Sequence, residues 1–217
     1  MTATSAPEPV ELRCADGVAL EAEWAAPVGA PRGTVVLCHP HPQYGGTMRS
    51  IVISALFGAL PQAGYGCLRF NFRGVEGSGG THGAGRDEVL DVEAALTAAT
   101  GYGLDGVCAV VGWSFGADMA LSTADPRIDG WVGIAPPLRF GDRVRAVAAD
   151  PRPKHLVLAQ HDEFRAPAEV EREVADWVAT TAEVVPGASH FFVGRTDRVV
   201  TATATFLAAL VGAGATS

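Results

Sequence analysis

The sequence has little charge, no basic cluster and no long apolar run. Only 18% of its 217 residues are charged, and the formal net charge is −8. Binding to nucleic acid needs clustered Lys and Arg to neutralise phosphates, so that class of function is excluded and no nucleic-acid partner is expected. No apolar stretch reaches the ~18 residues that span a bilayer. Residues 1–10 carry neither the basic nor the apolar region of a signal peptide. No membrane partner is therefore expected, and a cytoplasmic location is. Cysteine is scarce: Cys14, Cys38, Cys67 and Cys108 form no C-x-x-C pair and sit mostly in apolar runs. They read as buried free thiols, not as a disulfide framework or zinc site. Internal repeats and low-complexity segments are also missing.

What is present is apolar residue content, 48% of the chain, enough for a well-buried core. The length suits a single domain, expected over residues 10–217, behind a flexible Pro- and Ala-rich tail at 1–9. Residues 10–14 and 18–25 flank Asp16-Gly17 and predict a β-hairpin, because D-G supplies the positive φ of a tight turn. Beyond residue 33 the pattern changes. Apolar runs without alternation at 34–38, 67–71, 107–111, 131–135 and 155–159, with a last strand at 182–185, predict strands buried on both faces. Helical segments are expected at 48–60, 87–99, 115–123, 167–178 and 196–211. Strands alternating with helices predict an α/β class, a parallel sheet covered on both faces.

The chemistry concentrates at Gly112-Trp113-Ser114-Phe115-Gly116, a G-x-S-x-G pattern directly after a strand and before a helix. A serine nucleophile needs a sharp strand-to-helix turn to project its Oγ. Glycines two positions to either side relieve the crowding that the turn creates. In such a sheet the partners follow in the order Ser, Asp/Glu, His. Asp162 lies just beyond the strand at 155–159, and His190 just beyond the last strand; both sites are loops at the carboxyl edge that carries Ser114. His190 is the sole histidine after Asp162, and is read as the general base. Asp162 is read as the acid that orients it, with the adjacent Glu163 as the competing choice. Asp129, before its strand, points to the wrong sheet edge.

A tetrahedral intermediate requires two N–H donors. One should be Phe115 N–H. The other should come from His39-Pro40-His41-Pro42, where proline has no N–H and His41 is the realistic donor. The rival reading of these histidines is a metal site with His82 or His161. No carboxylate or cysteine cluster accompanies them, so neither a metal nor a cofactor is expected.

Four stretches in this order resemble the α/β-hydrolase superfamily, and more narrowly its compact bacterial hydrolases and dienelactone-hydrolase-like esterases. They are Leu37-Cys38-His39-Pro40-His41-Pro42 with Gly45-Gly46-Thr47-Met48; Arg69-Phe70-Asn71-Phe72-Arg73-Gly74 with Gly77-Ser78; the Ser114 pentapeptide; and Gly187-Ala188-Ser189-His190-Phe191-Phe192. Two departures stand out: no glycine shortly precedes Asp162, and the nucleophile is serine where some dienelactone-type relatives use cysteine. The resemblance implies an α/β-hydrolase fold: a mostly parallel sheet with helices on both faces, an N-terminal antiparallel hairpin and no substantial lid domain. Larger members insert a lid where this chain has only residues 136–154, room for a helical turn or two. It implies a serine hydrolase of small or medium carboxylic esters, working through an acyl-enzyme. Thioester or amide cleavage by the same triad, or a non-catalytic binding protein of this fold, are the alternatives. Tyr44, Trp113, Pro137, Phe164 and Phe191 are candidate substrate-binding residues, with Pro136, Leu138 and Phe140 as further wall. Arg73 could bind a substrate carboxylate or pair with a nearby acid. The oligomeric state is not legible.

Overall fold

The computed structural model describes residues 6–214. Eight strands, β1 (Glu8–Arg13), β2 (Ala19–Ala25), β3 (Gly33–Cys38), β4 (Tyr65–Phe70), β5 (Val107–Trp113), β6 (Gly130–Ile134), β7 (Lys154–His161) and β8 (Thr180–Ser189), build one sheet. Its order is β1-β2-β4-β3-β5-β6-β7-β8. β1 and β2 pair antiparallel, as do β2 and β4; all other neighbours are parallel. The helices are α1 (Ile51–Ala59), α2 (Glu88–Gly101), α3 (Phe115–Leu121), α4 (Gly141–Ala149), α5 (Pro167–Glu173) and α6 (Thr196–Gly214). Among the described residues, no helix is long and apolar enough to cross a membrane.

Side chains alternate across a strand, and the sheet uses both sets. Val36, Cys38 and Val110 pack under α2, α3, α4 and α5, in one core with Leu96, Met119, Val147 and Val170. Val35, Leu37 and Val111 face the opposite layer of α1 and α6, with Ile53, Leu56, Leu207 and Leu210. Burial on both faces is why these strands read as unbroken apolar runs. Strand β2 alternates instead: Leu20, Ala22 and Trp24 are buried between half-exposed neighbours. Burying a side chain such as Phe70 or Phe72 contributes ~1.5–3 kcal/mol.

Several boundaries differ from the sequence reading. β1 starts at Glu8, so two residues assigned to the tail are paired with Trp24 and Glu23; residues 1–5 lie outside the described residues. The 136–154 segment holds α4, nine residues long and thus longer than the turn or two expected. Val144 and Val147 sink into the core, so α4 packs into the body of the fold and forms no lid. α5 stops at Glu173 instead of 178, because the chain turns back and Val178 N–H is taken by Ala148 C=O at 2.9 Å. β8 runs on to Ser189. There Ala159 faces Val185 but His161 faces Ser189, so three residues of β8 oppose Gln160 alone. That bulge is fastened by Gly187 N–H donating to Gln160 Oε1 at 2.7 Å, and it sets the direction in which the chain delivers residue 190.

The chain leaves β3 toward α1 on one face and leaves the adjacent β5 toward α3 on the other. The two loops diverge at the carboxyl edge and open a crevice there, the place where open α/β sheets bind ligands.

Candidate active site

Ser114 occupies the β5–α3 turn with φ 54° and ψ −119°, a conformation a side chain tolerates only when its surroundings enforce it. The flanking glycines make the turn possible by letting backbones touch. A Cβ at Gly112 would lie 2.1 Å from Gly116 C=O, and one at Gly116 only 2.2 Å from Cys38 C=O. Ser114 N–H is anchored on Ile134 C=O at 2.8 Å.

The serine Oγ lies 2.9 Å from His190 Nε2, and His190 Nδ1 lies 2.8 Å from Asp162 Oδ2. A carboxylate accepts only, so Nδ1 carries the ring proton and Nε2 offers its lone pair to Ser114. Asp162 is itself fixed, because its Oδ1 accepts Phe164 N–H at 2.9 Å and Arg165 N–H at 3.1 Å. Glu163 plays a different part: its Oε2 accepts the backbone N–H of His190 at 3.0 Å. Trp113 Nε1 donates to the His190 carbonyl at 3.1 Å. One acid thus holds the ring, the other the backbone, and the tryptophan closes the set.

Phe115 opens α3, where a first-turn N–H has no partner inside the helix. Neither that amide nor the His41 amide donates to another described residue, and both residues line the cavity that contains Ser114. The loop carrying His41 is braced from behind. The buried His39 ring accepts Phe72 N–H at Nε2 (3.0 Å) and places Nδ1 2.6 Å from Pro40 C=O. Burial holds its pKa down at about 4. With both ring nitrogens engaged, His39 has none left for a metal. His161 is exposed at the end of β7. Among the described residues, no three His, Cys, Asp or Glu side chains converge as a metal site would need.

The cavity measures about 840 Å³, and all five residues read as substrate-binding line it. Tyr44, Phe164 and Phe191 are exposed at its rim, and Trp113 is buried at its base. Phe140 also lines it, whereas Pro136 and Leu138 are buried and do not. Arg73 is buried and ion-paired with Asp91 and Asp16, so it faces no substrate. A second cavity of about 900 Å³ lies between β8 and α6 and contains none of these groups.

Two lining residues, Asp118 and Arg139, carry no sequence signal, and a third, His82, enters the sequence reading only in the rival metal site. Asp118, in the first turn of α3, is buried and accepts Leu138 N–H and Arg139 N–H at 2.8 and 3.0 Å. Burial raises its pKa to about 6 against the pull of those two amides. It ties the loop after β6 to the helix that follows the serine. His82 and Arg139 line the cavity beside His41, whose imidazole is held below the ordinary histidine range by burial, then by His82 and Arg139. Only the fold brings these segments together.

No family model matches the chain. Among curated proteins it is similar to an uncharacterized protein of Rickettsia prowazekii (strain Madrid E), 28% identical over 189 residues, 82% of this chain and 79% of that one. An α/β serine hydrolase homologue from Coxiella burnetii is 30% identical, with a TM-score of 0.79 over 93% of this chain and 96% of that one. A serine hydrolase without a lid from Xanthomonas campestris is 26% identical, with a TM-score of 0.79 over 91% and 92% of the two chains. A relative of 30% identity along nearly the whole length, together with the sheet and the turn at Ser114, establishes that this chain belongs to the α/β-hydrolase superfamily and is a hydrolase of that fold.

Proposed function

We propose that the protein is a serine carboxylesterase that cleaves small or medium acyl esters through an acyl-enzyme at Ser114. The observation that carries the reading is the continuous hydrogen-bonded chain from Ser114 Oγ through His190 to Asp162. In this mechanism His190 Nε2 takes the hydroxyl proton as Oγ attacks the acyl carbon. Asp162 stabilises the imidazolium. The oxyanion of the tetrahedral intermediate accepts from Phe115 N–H and His41 N–H, each such donor contributing ~10²–10³-fold in rate. His190 then protonates the leaving alkoxide. Water attacks the acyl-enzyme by the reverse route, with His190 as base, and releases the acid. An open rim without a lid supports tolerance of varied acyl chains.

The test is hydrolysis of 4-nitrophenyl esters from acetate to decanoate by the wild type and Ser114→Ala, with fluorophosphonate labelling read by intact mass. A loss of at least ~10⁴-fold in the variant, with loss of the label, supports acyl transfer at Ser114. Wild-type protein that neither turns over an ester nor takes the label would sink it. The chain-length optimum sizes the acyl pocket.

A further inference from the structure

We propose that Arg165 is a positioning residue for the reaction, fastening the exposed turn that carries Asp162 to the loop that walls the cavity beside Ser114. This rests on the esterase reading above. Asp162 presents to His190 a side chain only 4% exposed, yet no side chain from residues 160 to 169 joins either core of the fold. Glu163 and Phe164, which follow the acid, are exposed. With so little buried apolar contact the turn is the kind of segment that opens locally, so its hydrogen bonds decide where the acid stands.

Arg165 anchors the far end of that turn. Its backbone N–H donates to Asp162 Oδ1 at 3.1 Å, beside Phe164 N–H at 2.9 Å. Its guanidinium donates to Pro137 C=O, in the loop after β6, and to Glu173 Oε2, at the end of α5. One half-buried side chain thus joins three segments. The loop it grips is a demanding partner. Pro137 lines the cavity, and its neighbours Ala135 and Leu138 both hold positive φ, 44° and 51°. Such a backbone costs ~1–3 kcal/mol at a non-glycine residue and persists only where the surroundings impose it.

Asp118 grips the same loop from the opposite side through Leu138 N–H and Arg139 N–H, and its own N–H donates to Ser114 C=O at 3.2 Å. A second connection therefore runs from nucleophile to acid, through Asp118, the loop and Arg165, without passing through His190. It fixes Asp162 relative to Ser114 while the imidazole gains and loses its proton. Stability alone does not account for the arrangement, because a partly exposed ion pair such as Arg165–Glu173 contributes only ~0–1 kcal/mol. Displacing the acid by about 1 Å can instead cost ~10²-fold in rate.

The experiment measures kcat and KM separately on the best 4-nitrophenyl ester in Arg165→Met, in Arg165→Lys, and in Arg165→Met combined with Asp162→Asn. Arg165→Met should lose ~10- to 100-fold in kcat, with KM within about 3-fold and a thermal midpoint within about 4 °C of wild type. Arg165→Lys, which still donates to Pro137 C=O, should recover part of the loss. In the Asp162→Asn background the Met change should cost less than ~3-fold, because its route to the chemistry is already cut. The full loss in that background, a loss confined to KM, an unchanged kcat, or a variant that unfolds at the assay temperature overturns the positioning role. If wild type neither hydrolyses an ester nor takes the fluorophosphonate label, the esterase reading fails. Nitrogen-15 NMR of the His190 ring, assigned by its loss in His190→Gln, then decides the role of Arg165 alone. An Nδ1–H tautomer that gives way to a mixture with Nε2–H in Arg165→Met supports it; the same tautomer populations in both proteins overturn it.

Discussion

Asp162→Asn and Glu163→Gln form a pair of isosteric changes that separates orienting the histidine ring from holding its backbone. Asp162 Oδ1 receives two backbone N–H groups, from Phe164 and Arg165. An asparagine at this position therefore keeps its carbonyl oxygen there and turns its NH₂ toward His190 Nδ1. Flipping the amide would set NH₂ against both donors, at ~1–3 kcal/mol for each amide left unsatisfied. With NH₂ at Nδ1, the imidazole must carry its proton on Nε2, where it can no longer accept from Ser114. A wrong tautomer of this kind lowers kcat by ~10⁴-fold, or about 5.5 kcal/mol of barrier at 1.36 kcal/mol per decade. Glu163→Gln retains an oxygen that accepts His190 N–H, so its loss is held to ~10-fold, the weakening from a charged to a neutral acceptor. The assay is kcat/KM on the best 4-nitrophenyl ester, with circular dichroism to show that both variants fold. Equal losses in the two variants, or a loss below ~10-fold in Asp162→Asn, would refute the assignment of the orienting role to Asp162.

The remaining predictions concern the scaffold under the site. In Gly116→Ala the added Cβ meets Cys38 C=O at 2.2 Å, so β3 and α3 must part; thermal denaturation should show ~1–3 kcal/mol lost, with activity lost beyond what unfolding accounts for. Native stability and activity in this variant would mean that the close approach is not required. The raised pKa of Asp118 means that the native state holds a proton the unfolded chain releases between pH 3.8 and about 6. Its contribution is present below pH 3.8 and is lost as pH rises through about 6, roughly 3 kcal/mol in all. His39 works in the opposite direction. Its pKa lies at about 4 against 6.5, so its contribution is present above pH 6.5 and is lost as pH falls toward 4, again roughly 3 kcal/mol. Between pH 4 and 6 the two offset one another in the wild type. Urea titrations of Asp118→Asn and His39→Gln against wild type should therefore show stability differences that drift with pH in opposite senses, and flat differences would contradict both assignments.

Much of this molecule was legible in local patterns. The hairpin followed from Asp16-Gly17, the buried strands from unbroken apolar runs, and the serine turn from glycines spaced around Ser114, because each depends on residues within a few positions of one another. The order Ser, Asp, His was legible for a related reason: parallel strands all present their carboxyl ends on one edge, so position after a strand implies position in space. Which of Asp162 and Glu163 faces the His190 ring was a reading in favour of Asp162 with Glu163 left as the competitor, since adjacent side chains are distinguished only by where the chain turns. The bulge at Gln160 and the Phe164 and Arg165 amides set Asp162 against the ring and Glu163 against the backbone. Periodicity could not show that Arg73 is consumed by Asp91, that α4 packs inward, or that Asp118 ties α3 to the loop after β6. Sequence by itself determined the class of fold and singled out Ser114, Asp162 and His190, which the structure brings within hydrogen-bond distance of one another. Tertiary structure alone decided which carboxylate faces the imidazole and which cations line the cavity, because those contacts join segments far apart in the chain, and no local pattern encodes a distance between them.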